Sequence, residues 1–163
     1  MNQPDPILEV AFGMLGLVLV MFVHGAGIRL INRHYSAAWV KVRPVTAHWR
    51  INLLLAVVIT AFAVVHLVET LIWAVPIHRL GILPTLRDSF YYVLESYTTL
   101  GDGTVALPEP WRLVGPMIAM SGLFTFGWTG SVLVGIMNQF SELDRQRARR
   151  HQGIGQPGDD GHA

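Results

Sequence analysis

Three apolar stretches, Ile7 to Ile28, Ile51 to Val75 and Leu113 to Asn138, decide what this chain can fold into. Each is long enough for a helix to cross the roughly 30 Å hydrocarbon layer of a membrane. That layer holds no water, so each stretch has to satisfy its backbone polar groups within itself and is therefore expected to be helical. Charge segregates to match. Arg29, Arg33, Lys41, Arg43 and Arg50 lie between the first two stretches, Arg145, Arg147, Arg149 and Arg150 follow the third, and Asp5 and Glu9 stand at the other end. Lys and Arg collect in cytoplasmic loops, which predicts a multi-pass protein of the plasma (inner) membrane with its N-terminus outside and its C-terminus cytoplasmic. A cleaved signal peptide is the rival reading of the first stretch, and the missing basic n-region favours a retained helix.

A shorter element, Asp88 to Thr98, mixes aromatic and polar residues and cannot span, so it either lies outside the membrane or enters and leaves from one side. Thr85, three residues ahead of Asp88, predicts an N-cap with an acid in the first turn. The helix should stop near Thr98, where Thr98-Thr99 and then glycines break helical preference and a Gly-x-Gly strand begins. Non-helical backbone at membrane depth is tolerated only where protein buries it or where it lines a watery cavity. Gly101 and Gly103 admit backbone angles closed to other residues, so successive carbonyls can turn the same way and replace the water shell of a cation. The Thr99 hydroxyl can join them.

Thr98-Thr99-Leu100-Gly101-Asp102-Gly103, Trp111-Arg112-Leu113-Val114 and Gly122-Leu123-Phe124-Thr125-Phe126-Gly127 together resemble the pore module of potassium channels and their two-helix bacterial relatives, over about Ile51 to Gln139. The resemblance implies an all-α membrane protein: three transmembrane helices, a re-entrant pore helix and a filter strand, assembled as a homotetramer around one axis in the lipid bilayer. It implies Thr99, Leu100 and Gly101 as ligands of permeant potassium or sodium, with Asp102 and Gly103 completing the filter and Glu95, Thr98 and Thr104 supporting it. On the last helix it implies Gly122 as a hinge and Leu123, Phe126 and Gly130 as cavity lining, and Val134 and Met137 continue that face by periodicity toward a cytoplasmic gate. Asp102 stands where the family has Tyr, and Thr104 where it usually has Asp. The lost aromatic removes the cuff around the upper filter, and Gly-Asp-Gly is similar to the nonselective branch. The expectation is a channel for monovalent cations, potassium and also sodium; a potassium-selective channel and a non-conducting pore-fold subunit remain the alternatives.

His66 and Glu69, three apart on the second stretch, share a helix face. They form either a proton-sensitive latch or a structural pair bonded to the short helix through Tyr91 or Tyr92. Small residues on the last stretch also suit close helix packing. A haem between His24 and His66 is not expected, because counting from Ile28 and Ile51 puts the two at different depths. The first helix is expected to pack around the outside of the assembly.

The chain divides into 1–50 (first helix and basic loop), 51–140 (pore module) and 141–163, a polar segment expected to be unstructured with no ligand-binding domain. It has no cysteine and hence no thiolate site, and its basic residues sit where topology places them, which gives no reason to expect nucleic acid. No Ser-His-Asp set, paired metal histidines on a helix turn or nucleotide loop is present, so neither an enzyme, nor a cofactor beyond the permeant ion, nor a soluble partner is expected.

Overall fold

The structure, a computed structural model, describes residues 6–42 and 46–153. The expectations placed on Asp5, Arg43 and 154–163 lie outside the described residues. Four helices carry the chain: α1 Pro6–Trp39, α2 His48–Arg79, α3 Leu86–Tyr97 and α4 Val114–Gly153, with a 3-10 turn at Glu109–Trp111 before α4. α1, α2 and the stretch Glu109–Arg150 are long and apolar enough to cross a membrane. No strand forms among the described residues, and the Gly-x-Gly segment expected as a strand takes no regular secondary structure.

Two helices outrun their apolar stretches. α1 continues through Arg29 and Arg33 to Trp39, so most of the expected basic loop is helix. α4 continues to Gly153, so 141–153 is helical where an unstructured segment was expected. The physical reason is the same in both: hydropathy marks where a helix leaves lipid, not where it ends. Glu142 and Arg145, like Asp144 and Arg147, pair at 3.6 Å across one turn of α4 in residues with good helical preference.

The ends of α2 and α3 are set locally. Beyond Pro76 in its last turns, α2 closes with the Gly81 N–H on the His78 carbonyl at 2.9 Å and the Ile82 N–H on the Ile77 carbonyl at 3.1 Å. Gly81 takes φ +68°, the left-handed residue such a closure requires. α3 opens on Thr85, whose Oγ1 accepts the Asp88 N–H at 3.0 Å and donates to Asp88 Oδ2 at 2.7 Å. The Thr85–Asp88 spacing in the sequence carried that cap.

α1 and α4 run in the same direction and α2 against them. At one end Phe12 of α1 meets Trp73 and Trp111, and the Leu113 N–H donates to the buried Glu9 carboxylate. At the other, Tyr35 donates to Gln139 Oε1 at 2.9 Å and Trp39 meets Phe140. There Arg147 also donates to the Thr46 carbonyl at 2.6 Å, which brings the two basic blocks to one end. α1 packs along both α2 and α4, which meet each other at few places. The first helix is thus built into the bundle of its own chain.

Two apolar cores result, one around Val20, Trp73, Ile77, Val93 and Ile118, the other around Ile31, Tyr35, Phe62, Ile136 and Phe140. Between them, at mid-height, lies a layer of buried polar side chains. Lipid tails are as apolar as leucine, so helix association in a membrane rests on close packing and on such polar contacts.

Candidate functional site

The segment after α3 owes its shape to alternating backbone handedness. Thr99 has φ +58°, Gly101 +57° and Gly103 +74°, while Leu100 and Asp102 between them keep negative φ. An added Cβ at either glycine would meet nothing within 4 Å, so the constraint there is the backbone angle and not space. Thr99 is β-branched and pays for the same angle with strain. The Glu95 carbonyl accepts the Leu100 N–H at 2.7 Å and the Gly101 N–H at 3.4 Å, which ties the start of the segment to the end of α3. Thr98 through Thr104 are exposed in the single chain, Leu100 at 69%. A cavity of about 380 Å³ beside the segment is lined by Glu95, Thr99, Gly101, Gly103, Leu107 and Pro116, among others.

Asp102 does not stand free. Tyr91 of α3 donates to its Oδ2 and the Thr104 N–H donates to Oδ1 at 2.9 Å. The Tyr91 hydroxyl first, then the Thr104 amide and Glu95, hold the Asp102 carboxyl well below the usual carboxylate range. Glu95 beside it is buried, and that burial, followed by the Asp102 carboxylate, pushes it up to about 7. Tyr91 thus brings a phenol from α3 to the segment.

Beneath the segment lies the polar layer. Glu69 is wholly buried; its Oε1 meets His24 Nδ1 at 2.7 Å, and its Oε2 meets the Tyr97 hydroxyl at 2.5 Å and His66 Nδ1 at 3.2 Å. The Tyr97 hydroxyl also lies 2.9 Å from His66 Nδ1 and 2.5 Å from Thr125 Oγ1. On the far side of both rings stands Thr129 Oγ1, 3.4 Å from His24 Nε2 and 3.2 Å from His66 Nε2. The donor atoms of His24, His66 and Glu69 lie within 4.8 Å of one another. His66 and Glu69 were expected on one face; their partner on α3 is Tyr97 and neither Tyr91 nor Tyr92. The supposed difference in depth between His24 and His66 is absent, since their ring centroids are 5.4 Å apart. It came from ending the first helix at Ile28, whereas α1 runs on to Trp39.

On α4, Val114, Ile118, Ser121, Thr125, Thr129 and Ile136 form the buried face, and Leu123, Gly130, Val134 and Met137 point away from the other helices. Phe126, at the edge, sets its ring 4.6 Å from His66 and 5.3 Å from Tyr97. α4 passes through Gly122 without interruption, and a Cβ at that position would run into the Tyr97 carbonyl. Gly122 is the residue that lets α4 approach the end of α3.

Sequence reasoning missed Tyr97, Thr125 and Thr129 as a group, and Glu9 as a bond to the start of α4. A signal existed: Ser121, Thr125 and Thr129 recur every fourth residue on an otherwise apolar helix, a polar stripe on one face. A protein family described as ion channel matches residues 53–139, just over half of the chain. No curated protein and no solved structure matches it.

Proposed function

Given that the chain belongs to the ion channel family, we propose that it is one subunit of a tetrameric cation channel whose filter is Thr99, Leu100, Gly101, Asp102 and Gly103. The observation that carries this reading is the alternation of backbone handedness over Thr99–Gly103, because alternate left- and right-handed residues can bring successive carbonyls to one side. One chain supplies only part of a cation's oxygen shell, so the reading requires several copies around an axis. The exposure of Thr98–Thr104 and of Leu123, Gly130 and Val134 in the single chain fits surfaces left for an axis, a cavity and neighbouring subunits. Re-entry of α3 is supported by depth. Tyr97 at its end bonds Glu69 and Thr125, each about 15 Å along its helix from the end nearest α3, or near the middle of the hydrocarbon layer. The negative end of the α3 dipole then faces the cavity, which favours a cation there.

The permeant ions of this proposal are potassium and sodium, since Gly-Asp-Gly replaces the aromatic filter residue. Potassium selectivity is the second reading, and one observation favours it: the Tyr91 hydroxyl on Asp102 holds the upper filter from the helix side. Full-length protein in liposomes with sodium on one side and potassium on the other decides between them. A reversal potential near zero is expected; a strongly potassium-selective potential moves the conclusion to the second reading, and no current in either direction overturns conduction.

A further inference from the structure

The polar layer beneath the filter holds one more hydrogen-bonding demand than it has protons. With Glu69 ionised, its carboxylate only accepts, so His24 Nδ1 at 2.7 Å carries that ring's proton and His24 Nε2 becomes an acceptor. Placing the His66 proton on Nδ1, toward Glu69 and Tyr97, makes His66 Nε2 an acceptor as well. Both Nε2 atoms then face the single hydroxyl proton of Thr129, which can serve only one of them. Moving the His66 proton to Nε2 does not help. Nδ1 must then take the Tyr97 proton, which strips the 2.5 Å contact between Tyr97 and Glu69 of any hydrogen.

Charge tells the same story. The titratable groups facing Glu69 are His24 on α1, His66 on α2 and Tyr97 on α3, while α4 presents Thr125 and Thr129. Trp128 of α4 closes over the His24 ring. No lysine or arginine bonds Glu69 among the described residues, so with both rings neutral the layer carries a bare negative charge in the membrane interior. One added proton neutralises it and completes every contact, whether it rests on either ring or on Glu69. A divalent cation would instead leave the layer positive.

We propose that His24, His66 and Glu69 bind one proton inside the membrane, and that Tyr97 transmits its presence to the filter. Tyr97 joins the two places physically. Its hydroxyl sits in the layer, its carbonyl abuts Gly122, and its backbone leads through Thr98 into the left-handed Thr99. With the proton bound, the Tyr97 hydroxyl is held by Glu69 and Thr125 together; without it, either an imidazole Nε2 beside Thr129 goes unserved or His66 Nδ1 draws the Tyr97 proton away from Glu69, and that second arrangement loosens the end of α3. Conduction is then greatest on the acid side. This regulation rests on the channel reading, and the proton site itself does not.

The experiment uses the full chain in lipid with two readouts over pH 5 to 8, the range in which imidazole titrates. Nitrogen-15 NMR of the histidine side chains should show the His24 and His66 rings changing together in one step that Glu69→Gln removes. Cation flux should fall at least about threefold from pH 5 to pH 8. Tyr97→Phe, which keeps the ring and loses only the hydroxyl, should retain the histidine step and lose the pH dependence of flux. Rings that do not titrate in this range, or purified protein that retains a stoichiometric divalent metal, overturn the proton site. A pH dependence that survives Tyr97→Phe, or one of opposite direction, overturns the transmission. Absence of flux at every pH defeats the channel reading, and the NMR step still decides the site.

Discussion

The segment Thr99–Gly103 and the layer around Glu69 lie one beneath the other, joined by Tyr97, and they are built by opposite means. The upper one is a run of consecutive residues whose form comes from backbone angle, with open space around both glycines. The lower one draws side chains from four helices, and its members come from positions as far apart as His24 and Thr129. A local backbone device tolerates change in what surrounds it and fails when its own angles are denied. A long-range side-chain device tolerates changes of backbone preference and fails when one hydroxyl or one ring is taken away. Substitutions can test that contrast directly.

The largest effect is expected at Gly101. Gly101→Ala introduces no collision, yet at φ +57° an L-residue costs about 1–2 kcal/mol in each subunit of the proposed tetramer. Cation flux in liposomes should fall at least about a hundredfold, since each 1.4 kcal/mol is tenfold, while thermal stability falls by no more than that same strain of about 1–2 kcal/mol per subunit. Intact flux in Gly101→Ala defeats the filter assignment.

Gly122 gives the reverse pattern, because space and not angle is what it supplies. Gly122→Ala should lower stability by about 1–3 kcal/mol, as overpacked sites do, since the new methyl meets the Tyr97 carbonyl, a backbone atom that cannot swing aside. Gly130→Ala, in the same helix with open space around it, should be neutral to stabilising by up to about 1 kcal/mol, from helix preference alone. Thermal melts of the two variants side by side check the difference. Equal melting temperatures would mean that Gly122 is not where α4 meets α3.

Glu95 sits at the boundary between the two regions, and its effect is a slope with pH. Its folded pKa of about 7 lies above the ordinary value of 4.5, so folding favours the protonated form. The stability it contributes is fully present below about pH 4.5 and is lost as pH rises toward 7. The melting temperature of the wild type should therefore fall over this window more steeply than that of Glu95→Gln. Parallel curves for the two proteins would show that Glu95 is not held in its neutral form.

The same contrast explains what could be read from the sequence. The three long helices, the short α3 with its Thr85 cap and the positions of Gly101 and Gly103 were legible because each depends on neighbours within a few residues. The ends of α1 and α4 were not, since residues such as Arg33 and Arg145 continue a helix perfectly well once it has left lipid. That single misplacement of the end of α1 moved His24 away from His66 and hid the layer. The contact of Tyr91 with Asp102 was hidden for a different reason: it joins α3 to the segment eleven residues on, and only geometry pairs the two positions.

The smallest effect separates two threonines of similar chemistry. Thr125 Oγ1 lies 2.5 Å from the Tyr97 hydroxyl in a buried site, while Thr98 Oγ1 donates to the Leu94 carbonyl at 2.8 Å on an exposed shoulder beside Thr99–Gly103. Valine matches threonine in shape, so either replacement removes only a hydroxyl. Thr125→Val leaves the Tyr97 hydroxyl short of a partner where no water can replace it, and should cost about 1 kcal/mol, near the middle of the range for a single hydrogen bond. Interhelical bonds in membranes average about 0.6 kcal/mol, which sets the lower end of that expectation. Thr98→Val exposes a carbonyl that already accepts the Thr98 N–H at 3.0 Å, so its cost should stay within about 0.5 kcal/mol. Melts of the two variants under one condition make the comparison. A Thr98 effect equal to or larger than that of Thr125 would mean that the exposed shoulder, and not the buried layer, is what fixes the end of α3.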